Sequence, residues 1–107
     1  MKLQNVKEDT WVMYNNKPYF VIYIPNGTKR RVLRNNDGNM KVSVKANVEL
    51  AKVPKYQVGD VVTCIDDRAP EYGQQMTITK AQYSAYAAYE LDGHKWSTPF
   101  NIVKVNY

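Results

Sequence analysis

GDVVTCI, residues 59–65, lies over EDTWVMY, residues 8–14, and this overlay decides how the rest of the chain is read. Further along, DGHKWSTPFNIVK (92–104) lies over DGNMKVSVKANVEL (37–50) with one residue of slack. Inside that second match Ser97, Asn101 and Ile102 each stand 54 residues after Ser43, Asn47 and Val48. A constant offset near half of a 107-residue chain is the mark of a duplicated unit. The expectation is two copies of one small fold, residues 1–53 and 54–107, joined at Val53-Pro54-Lys55. A joint that short is no flexible linker, so the two copies are expected to pack together.

Within each half, short runs rich in valine, isoleucine and aromatics alternate with turn signals. WVMY (11–14) precedes NNKP, YFVIYI (19–24) precedes PNGT, and RRVLR (30–34) precedes NNDGN; MKVSV (40–44) and VELAKV (48–53) complete the first half. The second half repeats this with VVTCI (61–65), QMTITK (75–80), AYAAYEL (85–91), HKWST (94–98) and NIVKV (101–105). Asn26-Gly27, Asp37-Gly38 and Asp92-Gly93 suit tight turns because these residues take positive φ cheaply. A brief irregular turn precedes the last strand of each half, at 45–47 and 98–101, where Pro99 cannot donate to a ladder. The predicted class is therefore all-β, with five short strands per half. KAQYSAYAAYE (80–90) fits least well: alanine favours helix, and Tyr83, Tyr86 and Tyr89 recur every third residue. By analogy with the first half it is read as a turn at 81–84 followed by a strand, with helix the alternative.

This layout resembles the SH3-like small β-barrel, including its KOW and Tudor branches. VGDVVTCIDDRAPEYGQQMTITK (58–80) is similar to the opening of KOW-like and photosystem I subunit IV-like barrels: Gly-Asp enters the first strand, and glycine closes a long loop before the second. The resemblance implies two tandem SH3-like five-stranded barrels and a binding role. It departs from the KOW pattern in having only Gly59 and Gly73 about the first loop. Small phage-encoded proteins often look similar.

Composition bounds the function. No run approaches the ~18 apolar residues of a membrane span, and the start, MKLQNVKEDTW, lacks the apolar core of a signal peptide. Cys64 is the single cysteine, which fits a cytoplasmic setting, bacterial or host. His94 is the single histidine, so zinc ligation is out of reach. A Cys64–His94 nucleophile pair would need a reactive thiol, whereas alternation places Cys64 inside a strand. With no phosphate-cradling glycine loop or nucleophile elbow either, the chain is read as a non-enzymatic binder without cofactor or metal.

Two binding surfaces are expected. Residues 1–54 carry ten lysines and arginines against four carboxylates, a net of +6, while residues 55–107 stand at −1. Lys29, Arg30, Arg31 and Arg34 crowd one strand, and Lys41 and Lys45 lie on or beside the next. Such a field favours nucleic acid or a nucleoprotein complex, with Tyr19 and Tyr23 as candidate stacking rings; a charged edge that merely blocks aggregation is the plainer reading. The alternative is protein docking, or inhibition of a host protein, through the loop DDRAPEYGQQ. The resemblance would assign it Arg68, Glu71, Tyr72 and Trp96, with Asp66 and Asp67 beside them. Pro70 and Gly73 have turn-making reasons to be there, and Trp96, like Trp11, is expected to be core.

Overall fold

The computed structural model describes residues 1–22 and 29–105. The chain divides into two compact units, residues 1–52 and 53–107. In the first, strands β1 (Trp11–Tyr14), β2 (Lys17–Ile22), β3 (Arg30–Asn35), β4 (Gly38–Ser43) and β5 (Glu49–Leu50) form one antiparallel sheet ordered β4-β3-β2-β1-β5. In the second, β6 (Val61–Cys64), β7 (Gln75–Ala81), β8 (Tyr89–Leu91), β9 (Lys95–Ser97) and β10 (Ile102–Lys104) repeat that order as β10-β6-β7-β8-β9. Among the described residues no ladder joins β4 to β5 or β9 to β10, so neither sheet closes on itself. The fold is all-β, with two five-stranded antiparallel sheets.

Alternation builds each core. In the first unit Val12, Tyr19, Val21 and Leu33 share the inner face with Val42, and Leu3 and Val48 pack against them. Trp11 and Phe20 pair on the opposite face, ring edge to ring face at 5.4 Å, and both are buried. The turn between β1 and β2 is only Asn15-Asn16, both at positive φ, as a two-residue hairpin with the strand's own twist requires. Pro18 falls within β2, opposite Met13, rather than in the turn where NNKP suggested it.

In the second unit Val62 and Cys64 of β6 face Met76, Ile78, Leu91 and Ile102. Here the structure moves the expected overlay by one residue. Val12 and Tyr14 point inward in β1, and Val62 and Cys64 in β6, so Val12 corresponds to Val62; the overlay put Trp11 there. Register is set by which face is buried, and a one-residue slip would turn Trp11 and Met13 inward. Val48 and Ile102 do correspond: each is a buried residue at the last strand's approach to the first.

The strand expected over 85–91 is confined to Tyr89–Leu91, and residues 82–88 are a bent connection. Gln82 N–H donates to the Ala88 carbonyl at 2.6 Å and Ala85 N–H to the Gln82 carbonyl at 2.9 Å. Alanines lack the branched or aromatic surface that holds a strand to its neighbour, so the strand starts only where Tyr89 enters the core, 1% exposed. Tyr89 anchors the unit's start: its hydroxyl accepts the Tyr56 N–H at 2.9 Å and donates to the Pro54 carbonyl at 3.3 Å.

Burial raises the phenol pKa of both Tyr56 and Tyr89, against smaller lowering from backbone contacts. Raised folded values mean that this stability is complete below pH 10 and drains away as pH climbs through them. Ultraviolet titration of tyrosinate should therefore show a late component that appears together with loss of the second unit's fold. Simple titration of all tyrosines near pH 10 would contradict it.

Candidate functional site

The cations of KRRVLR separate onto two faces. Val32 lies opposite Lys41, Arg34 opposite Asn39 and Arg30 opposite Ser43. Strand alternation then puts Arg30, Arg34 and Lys41 together on the face away from Leu33 and Val42, and all three are exposed. Arg30 and Arg34 are about 13 Å apart along β3, and Lys41 stands between them on a strand about 5 Å away. Among the described residues β4 is a sheet edge, with no strand of that sheet beyond Lys41. Neither strand contains an acid; the turn between them holds Asp37, 4.0 Å from Lys17. Lys29 and Lys45 are exposed at the end of the ladder where Arg30 stands, tied by the Val44 N–H donating to the Lys29 carbonyl at 3.1 Å.

The other expected members lie elsewhere. Arg31 points to the opposite face, across from Val42, and lines a cleft with residues 4–8. Tyr19 is 7% exposed, packed in the core with Tyr14 at 6.3 Å, so its ring is not open to a base. Tyr23 lies outside the described residues.

In the second unit the loop of residues 65–74 is held largely by its own bonds. Asp66 accepts the Arg68 N–H at 3.1 Å through its side chain, and its carbonyl accepts the Ala69 N–H at 3.0 Å. Gly73, at φ 81°, donates its N–H to the Cys64 carbonyl at 2.9 Å and closes the loop. Glu71 forms an ion pair with Lys95 of β9. Turn formation and that ion pair thus account for Asp66 and Glu71, which the sequence left without a folding role. Among the described residues no group of three or more acids, histidines or cysteines is placed to hold a metal, so Asp66, Asp67 and Glu71 do not converge.

Tyr72 is 58% exposed, and Trp96, expected in the core, is 39% exposed on the face it shares with Glu90. Each ring is one residue from the Glu71–Lys95 pair. The hydrogen bond from Lys95 holds the Glu71 carboxyl below its ordinary value. A lowered folded value means the pair's stabilisation is full above the ordinary carboxylate value and is lost as pH falls through the lowered one. Lys95→Met should return the Glu71 carboxyl titration, followed by NMR, upward to the ordinary carboxylate range and speed amide exchange at Tyr72. An unchanged titration would count against this tether.

Two residues that sequence reasoning passed over come together beside the joint. The Lys55 ammonium lies 4.7 Å from the centre of the Tyr83 ring. The only signal for it was the unexplained tyrosine density of 80–90. Among the described residues no helix is long and apolar enough to cross a membrane. No protein-family model, curated protein or solved structure matches this chain.

Proposed function

We propose that the protein is a non-enzymatic nucleic-acid-binding module that grips the phosphate backbone with the outer face of its β3–β4 hairpin. The observation that carries this reading is the clustering of Arg30, Arg34 and Lys41 on one exposed edge face, on strands that contain no acid. Guanidinium groups meet phosphate in a fork, and Lys41 adds a point charge between them. With Tyr19 buried, the contact is electrostatic rather than base-reading, so binding is expected to be weakly dependent on sequence and strongly dependent on salt. Two five-stranded units, each with a turn before its last strand, support reading each as an SH3-like small barrel. Titration of a labelled random duplex across a salt series tests the function: retention at low salt that falls steeply with added salt is expected, and no retention at low salt ends the proposal.

Exposed Tyr72 and Trp96 beside a tethered loop favour a second reading, protein docking at that end of the second unit, since amphipathic aromatics dominate binding hot spots. A nuclease-treated pull-down should then retain a partner that Tyr72→Ala combined with Trp96→Ala releases; retention unaltered by both changes rejects this surface.

A further inference from the structure

The bent connection 82–88 forms one wall of a small pocket in the second unit. Tyr83, Ala88 and Tyr89 line about 200 Å³ together with Pro54, Pro99 and the exposed Lys55. Pockets for drug-sized ligands measure ~300–1,000 Å³, so this smaller space suits a single ring. Among the described residues Lys55 is the only charged member of the lining, and none is a carboxylate. Tyr83 is 49% exposed and is held by its hydroxyl donating to the Tyr56 carbonyl at 2.8 Å. The Tyr89 hydroxyl likewise spends its hydrogen on Pro54. A phenol has one hydrogen to donate, so the pocket offers the half-exposed Tyr83 ring and Pro54 beside a cation, with little directional hydrogen bonding. Ala88, Tyr89 and Pro99, each 2% exposed or less, only back it.

We propose that this pocket receives a planar ring bearing an anionic group, namely an unpaired nucleobase with its phosphate directed to Lys55. The choice of a nucleotide among ring-bearing anions rests on the reading of the protein as a nucleic-acid binder; the pocket's shape and charge do not. Because both hydroxyl hydrogens are committed, the four bases are accepted about equally, as on other stacking surfaces.

The test titrates the full chain with UMP, AMP, uridine and inorganic phosphate, read at the Lys55 and Ala88 amides by NMR. UMP and AMP should shift both amides with similar affinity, uridine more weakly, and phosphate should leave Ala88 unmoved. Tyr83→Ala and Lys55→Gln should each weaken UMP about tenfold or more, with the thermal midpoint showing that both variants fold. Lys55 is exposed, so Lys55→Gln remains informative if Tyr83→Ala disturbs the loop. A single-stranded oligonucleotide binding tighter than UMP assigns the base to a strand, and equal affinity assigns it to a free nucleotide. No shift at Ala88 with either mononucleotide, or wild-type affinity in Lys55→Gln, overturns the pocket. Duplex retention persisting while mononucleotides fail removes the pocket alone; mononucleotide binding without duplex retention removes the β3–β4 face alone.

Discussion

Truncation of Tyr89 to alanine is expected to destabilise the second unit by about 3–5 kcal/mol, the range for deleting a large buried ring. Tyr89 is 1% exposed, and its ring lies 5.5 Å from that of Tyr56 and 6.0 Å from that of Tyr83. Removal would leave a cavity between β8 and the segment that enters β6, while the Tyr56 N–H would lose its acceptor. Tyr89→Phe separates the two effects: the ring stays, the acceptor goes, and the expected cost is about 1–3 kcal/mol for a buried donor left unmade. Denaturant unfolding together with amide exchange at Val62 and Ile78 reads both. A phenylalanine variant as stable as the parent would show that the hydroxyl is not what anchors residues 54–56.

The second large effect concerns the cationic face. Removing Arg30, Arg34 and Lys41 together, each to alanine, should make the slope of log affinity against log salt for a duplex shallower by about 2–3. Each phosphate that the protein no longer neutralises takes about 0.9 from that slope. All three side chains are exposed, so stability should move by no more than about 0.5 kcal/mol per substitution. Arg31→Ala is the matched control, since it deletes the same charge from the other face of the same strand. An equal change in slope from Arg31→Ala would mean that net charge alone draws the nucleic acid. Such a result would reject the hairpin face as the interface.

Much of the fold was legible because its determinants are local. Val62, Thr63 and Cys64 alternate in character within three residues, and Asp92-Gly93 takes positive φ at both positions of its turn. The Ala-rich segment was not legible in the same way. Alanine carries no face, so neither a helical nor a strand period could locate the point where Tyr89 enters the core. The candidate site was half legible: the charges of KRRVLR were plain, but their division into an outer set and Arg31 required the β3–β4 register. Trp96 was misplaced for a related reason. On the three-residue strand β9 either face satisfies alternation, and the pairing of Ser97 with Tyr89 settles which one is inside.

The residues by themselves determined the succession of strands and turns and the excess of positive charge in the first half, because each is a matter of composition and near neighbours. Only the tertiary structure decided that Arg30, Arg34 and Lys41 share a face, that Tyr19 is closed off, that Glu71 is tied to Lys95 and that Lys55 meets Tyr83. These pairings join residues seven to twenty-eight positions apart, or depend on which face of a strand is buried. Such distances are closed by core packing and strand register, which no short stretch of chain encodes alone.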